Sequence, residues 1–149
     1  MTKEQSEGYI ILMDRLLELM IDDEAKWNGT PITNDMIKSA IVSGMPEETD
    51  QFGCGRAEIN RSDDWHIGRI IYFINHPEEI RDIWIDNECY PGRYPGISRI
   101  LPIPIIDDGN HRYRAAKYLG FKKIHCQYGG RTDVLAYLTG ESDEAPLWE

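Results

Sequence analysis

The stretch from Pro102 to Gly120, PIPIIDDGNHRYRAAKYLG, sets a β-branched run directly before a glycine turn and a helix-forming segment. Ile103, Ile105 and Ile106 favour a strand. Pro102 and Pro104 cannot donate to a ladder, so they predict a strand that lies at a sheet edge or starts late. Arg112 to Leu119 then reads as a helix closed by Gly120 in the left-handed conformation. The backbone N–H groups of Gly109, Asn110, His111 and Arg112 would stand at that helix's N-terminus, where donors lack intrahelical partners and the helix dipole favours anions. Gly109 allows close approach of a ligand, and Arg112 brings a planar fork of donors suited to two phosphate oxygens. The same letters also suit an ordinary helix start, with Asp108 or Asn110 as N-cap, Gly109 as turn residue and Arg112 solvated.

On the C-terminal side, Lys123 to Tyr128 alternates as a strand, Gly129-Gly130 turns, and Thr132 to Leu138 forms a helix ended by Gly140. Arg131 and the neighbouring amides offer a second anion contact there, in competition with a tight turn capped by Thr132. His125 and Cys126 are adjacent on a strand, face opposite sides and make poor joint metal ligands. Residues 141–149 read as a loose acidic tail in which Leu147 and Trp148 offer docking points.

On the N-terminal side, Ile80 to Asp86 alternates as a strand, with Asn87 to Ser98 as a long loop after it. Ser62 or Asp63 caps a helix whose Ile67, Ile70, Ile71 and Ile74 recur at helical spacing, and Asp63, Asp64 and His66 read as helix-start residues. Arg56 to Asn60 fits a short strand. Thr33 caps a helix with Met36, Ile37, Ala40 and Ile41 on one side, ending at Gly44. Gly8 to Met20 carries a wide apolar stripe and reads as one continuous helix.

With 149 residues, 41% of them hydrophobic, the chain supports one well-buried core. No window is apolar enough for a membrane span and the first residues lack the order of a secretory signal, so a cytoplasmic protein without a membrane partner is expected. Cys54, Cys89 and Cys126 fit neither a disulfide framework nor a zinc knuckle. The net charge of −10 divides as −7 over residues 1–50, +1 over 51–140 and −4 over 141–149. Acidic flanks argue against DNA as a partner. The stretch from Leu101 to Gly140 has an excess of basic residues and remains compatible with an anionic ligand.

Asp108-Gly109-Asn110-His111-Arg112, followed by Ala115, Ala116, Leu119 and Gly120, resembles the ParB/sulfiredoxin superfamily, and the order of elements from about Cys54 to Tyr128 is similar. The resemblance implies nucleotide phosphates held by Gly109, Asn110, His111 and Arg112. Sulfiredoxins carry a reactive cysteine where Asn110 stands, so sulfinic acid repair is not expected. Phe52-Gly53-Cys54-Gly55-Arg56 is only superficially similar to that cysteine motif. Chromosome-partitioning members have a Glu-Arg-Arg after the glycine and further DNA-binding segments, for which this chain has no room.

The sequence therefore predicts an α/β (α+β) protein. A helical extension over residues 1–48 precedes a ParB/sulfiredoxin-like domain over 49–140, built as a mixed sheet with flanking helices, and the acidic tail fills 141–149. The expected function is binding of an ATP- or CTP-type nucleotide, with hydrolysis or phosphoryl transfer as the activities the resemblance implies. Asp108 and His111 are the candidate catalytic residues, and Gly109, Asn110, His111, Arg112 and Arg131 the phosphate contacts. Phosphoryl transfer commonly employs Mg²⁺ on one or two carboxylates, for which Asp107 and Asp108 are nearest, on opposite faces by strand alternation. A metal-dependent nuclease and a non-catalytic adaptor, which contacts a protein partner through the N-terminal helices or the acidic tail, stand as alternatives.

Overall fold

The computed structural model describes residues 7–20, 25–50, 61–88 and 101–147. The expected strand at Arg56 to Asn60, the Phe52 to Arg56 motif and most of the Asn87 to Ser98 loop lie outside these. Among the described residues the protein is α+β, with five α-helices and a four-stranded mixed sheet flanked by helices. Two compact units divide the chain. One consists of Met1–Asp23, Arg81–Asn110 and Phe121–Glu149, the other of Glu24–Ile80 and His111–Gly120.

The first unit holds the sheet. Its strands are β1 (Tyr9–Leu12), β2 (Ile83–Glu88), β3 (Ile103–Asp108) and β4 (Lys123–Gly129), in the spatial order β1-β4-β2-β3. β2 and β4 run parallel at the centre, β1 is antiparallel to β4, and β3 is antiparallel to β2. Period-two alternation places Ile83, Ile85, Ile124 and Cys126 on one buried face. Ile11 joins them opposite Ile124. Two helices, α1 (Met13–Leu19) and α5 (Thr132–Thr139), pack against β1 and each other. They bury Met13 and Leu16 from one side and Val134, Tyr137 and Leu138 from the other.

β3 forms the sheet edge, as its two prolines predict, and Pro104 lies opposite Asn87. The register of this pair slips by one residue, since Ile85 faces Ile106 while Trp84 faces Asp108. Asp107 is thus the bulged residue. Alternation fails at a bulge, and Asp107 and Asp108 are both exposed.

The continuous helix expected from Gly8 to Met20 is not formed. Tyr9 to Leu12 pairs with β4, and the helix begins only at Met13. A stripe this broad satisfies period two as well as period 3.6, and Tyr-Ile-Ile is rich in strand formers, so pairing with the open edge of β4 decides the outcome. Gly8 permits the entry, at φ 64°, because a Cβ there would meet the Cys126 carbonyl and the His125 ring. The segment after α5 is tied down instead of loose. Arg15, stacked over the Tyr137 ring, donates to the carbonyls of Tyr137 and Ser142 and to the Asp143 carboxylate, while Arg131 holds the Leu147 carbonyl.

The second unit is helical: α2 (Asn34–Val42), α3 (Asp63–Asn75), a 3₁₀ turn at Pro77–Glu79, and α4 (Asn110–Leu119) from its second residue onward. Thr33 and Ser62 cap α2 and α3 as predicted, each side-chain oxygen accepting an N–H from three residues ahead. Ile67, Ile70, Ile71 and Phe73 line the buried face of α3. Arg114 is buried on α4, where it donates to the Ile32 carbonyl and the Asn34 side chain and so fastens the entry to α2. No helix among the described residues is long and apolar enough to cross a membrane.

One buried amide closes the first unit's final turn. Asn87 Oδ1 accepts the Arg131 backbone N–H at 2.5 Å and lies 2.6 Å from the Tyr128 hydroxyl. Gly130 passes over this amide at φ 137°, and a Cβ there would run into the Asn87 side chain. Gly130→Ala is therefore expected to lower stability by about 2–3 kcal/mol through strain and displacement of Asn87. A urea midpoint unchanged from wild type would show that the turn relaxes around the methyl group.

Candidate functional site

The predicted phosphate turn forms where expected, with β3 ending at Asp108, Gly109 at φ 91° and α4 starting at Asn110. One of its backbone donors and one side-chain amide have protein partners. The Gly109 N–H donates to Asp108 Oδ1 at 2.9 Å, and Asn110 Nδ2 points back to the Ile106 carbonyl. Asp108 thus puts a carboxylate oxygen where the sequence places a phosphate oxygen. The boundary between the units falls after Asn110, leaving Gly109 and Asn110 with the sheet and His111 and Arg112 with the helices. Arg131, the expected second contact, is paired with the Asp133 carboxylate through Nε and Nη2, at 3.1 and 2.7 Å, and also serves the Leu147 carbonyl.

Within the helical unit, His111 joins a cluster centred on His66. His66 Nδ1 and His111 Nε2 are 2.9 Å apart, so one ring donates an N–H and the other accepts with a lone pair. The indole of Trp27 lies flat over both imidazoles, with centroids at 4.3 and 4.4 Å and planes within 8° and 6° of parallel. Trp65 meets both rings edge-on. His66 is 1% exposed. Burial pulls its pKa down to about 4, helped by the charge of Arg61 and opposed by Asp63. Burial likewise lowers His111 to about 3, aided by His66 and by the positive charges of Arg69 and Arg112. Both imidazoles are therefore neutral near pH 7.

Arg69 on α3 is 8% exposed. Its Nη1 donates to the Glu48 carbonyl at 2.9 Å, its guanidinium lies 4.8 Å from the Phe73 ring centroid, and its Nε is buried without a hydrogen-bond partner. It forms no ion pair among the described residues. Burial depresses the Arg69 pKa and the charge of Arg112 adds to this, against the opposing influence of Tyr72, Glu48 and Glu79. Holding the Arg69 guanidinium out of water without an ion pair is costly, because a buried charge is ordinarily paired. An anion placed beside it would relieve that cost.

The sequence motif marks His111 and Arg112, and local pattern places His66 among helix-start residues; Trp27 and Arg69 belong to no motif. The available signal was polar interruption of an apolar face: His66, Arg69 and Phe73 recur at i, i+3 and i+7 on α3. Asp63 does serve the helix start, accepting from Asn28. Cys126 is fully buried and pushed up to about 12 by desolvation, while His125 accepts the Asp82 N–H, so the two do not form a joint site.

The depressed imidazoles carry a pH signature. A folded pKa below the usual 6.5 means that the unfolded chain takes up protons which the native pair refuses. Their stabilisation is whole above 6.5 and is lost progressively as pH falls toward about 4 and about 3. The melting temperature of His66→Gln should accordingly fall less than that of wild type between pH 7 and pH 4.5. Parallel curves for the two proteins would contradict a neutral buried pair. No family model, curated protein or solved structure matches this chain.

Proposed function

We propose that this protein binds the phosphate groups of a nucleotide of the ATP or CTP type, with Arg69 and Arg112 as the anion-holding residues. The single observation that carries the reading is Arg69, a guanidinium out of water with a buried, unpaired Nε and no ion pair among the described residues. A phosphate oxygen would accept from that Nε and balance the Arg69 charge, with Arg112 at its side. The resemblance of Asp108 to Arg112 to nucleotide-binding members of the ParB/sulfiredoxin superfamily supports the same ligand class. The Gly109 amide and Arg131 drop out of the proposed contact set, since Asp108 and Asp133 already engage them.

The histidine pair has a supporting part in this reading. As neutral rings fixed under Trp27, His66 and His111 add no charge, and their mutual hydrogen bond fixes His111 on the first turn of α4 beside Arg112. His111 is assigned as a positioning residue, because its Nε2 is already engaged by His66.

Thermal denaturation with ATP, CTP, ADP or pyrophosphate, each with and without Mg²⁺, tests the proposal. A ligand at a hundredfold excess over its dissociation constant should stabilise the wild-type chain by about 2.7 kcal/mol. Arg112→Ala and Arg69→Met should both lose the shift. Without ligand, Arg69→Met should be as stable as wild type or more so, since replacing a buried charge by an apolar side chain of similar length removes its desolvation cost. The reading fails if none of these ligands stabilises the wild-type protein, or if Arg69→Met retains the full shift.

A further inference from the structure

The C-terminal end of α3 gathers a second group of side chains. His76, Glu78 and Glu79 each present a ligand atom within 4.8 Å of the others. His76 Nδ1 lies 3.8 Å from Glu78 Oε2, a span that one cation with bonds of about 2.1 Å to each ligand can bridge. On the ring's far side, His76 Nε2 lies 3.5 Å from Glu47 Oε2. This is the arrangement in which a carboxylate on one imidazole nitrogen orients the other toward a metal.

Neutral neighbours hold the group in place. The His76 ring stacks on Tyr72, with centroids 4.3 Å apart. The Tyr72 hydroxyl donates to Glu79 Oε2 at 2.8 Å, and Asn75 Nδ2 donates to Glu47 Oε2 at 2.8 Å. Pro77 starts the 3₁₀ turn that brings Glu78 and Glu79 back beside His76. The local charge is mostly negative, with Arg69 as the nearby cation that acts on Glu79. Three carboxylates meet the negative end of α3, whose last turn contains no Lys or Arg. Three acids, two of them held by uncharged donors, thus surround one imidazole.

We infer that His76, Glu78 and Glu79 bind a divalent transition-metal ion of the Zn²⁺ or Mn²⁺ class, with Glu47 orienting the imidazole. One nitrogen and two carboxylate ligands suit these ions, and the exposure of Glu78 leaves the remaining coordination positions to water. None of its ligands belongs to the arginine and histidine cluster, although Tyr72 touches both Arg69 and Glu79, and metal binding is read separately from nucleotide binding.

Mn²⁺ titration of the full chain, followed by calorimetry and by paramagnetic broadening of side-chain resonances, gives the test. Saturable binding of one ion per chain is expected, with the His76 imidazole broadened first and Zn²⁺ competing. Glu78→Gln with Glu79→Gln should abolish binding. Glu47→Gln, which leaves the metal-facing side intact, should weaken it by about 10-fold or more. The inference is overturned if no saturable binding appears below about 1 mM. Broadening centred away from His76, or affinity unchanged in the double variant, would equally overturn it, leaving the group as a solvated hydrogen-bond network.

Discussion

The parallel pairing of β2 with β4 is the constraint on which the sheet depends. Every other strand attaches to this pair, β1 through β4 and β3 through β2. Parallel neighbours cannot be joined by a tight hairpin, so the chain between them must make a long excursion. Here the excursion contains β3, the Asp-Gly-Asn-His-Arg turn and α4 before the chain returns as β4. A strand-to-helix turn within this crossover is therefore a consequence of the topology, whatever its sequence. What the particular residues add is the placement of His111 and Arg112 on the first turn of the helix. The parallel pair also needs a finish at its end. Asn87 supplies it, with a side-chain oxygen that satisfies the backbone N–H of Arg131, two residues past β4.

In the helical unit the dominant energies are those of groups taken out of water. His66 and His111 answer desolvation by staying neutral and sharing a hydrogen bond. Arg69 cannot answer in that way, because a guanidinium keeps its proton at any ordinary pH. It instead leans on the Phe73 ring and on one carbonyl. Cation–π contact returns about 2 kcal/mol at best, against a desolvation cost of several. Arg114, equally buried on α4, also has one nitrogen, Nη1, without a hydrogen-bond partner, but it donates to both a carbonyl and an amide oxygen. Two arginines of similar exposure thus differ in their bonding, Arg114 as a tie between segments and Arg69 with a single hydrogen bond to a carbonyl.

Much of the fold was legible from local chemistry. The caps at Thr33 and Ser62, the isoleucine spacing of α3, the two prolines that send β3 to an edge and the Gly120 and Gly140 helix ends each act within a few residues, and each appears in the structure. Tyr9 to Leu12 was not legible, because its conformation is fixed by pairing with a strand more than a hundred residues away. The bulge at Asp107 escaped for a related reason: register belongs to two strands together. At the candidate site, the turn and Arg112 were visible as a contiguous motif. The contact of His66 with His111 and the burial of Arg69 were hidden, since both arise only when α3 and α4 are packed in one unit.

The bulge at Asp107 has a consequence for the behaviour of the protein at high concentration. An open sheet edge is a template on which another chain can add a strand. On β3 that edge is interrupted by Pro104, which offers no N–H, and then twisted out of register at Asp107, where two exposed carboxylates stand together. The opposite edge, β1, is only four residues long. Among the described residues neither margin presents the long, flat, uncharged ladder that fibril growth requires, and the same irregularity that upset the facing of two aspartates works against edge-to-edge pairing at β3.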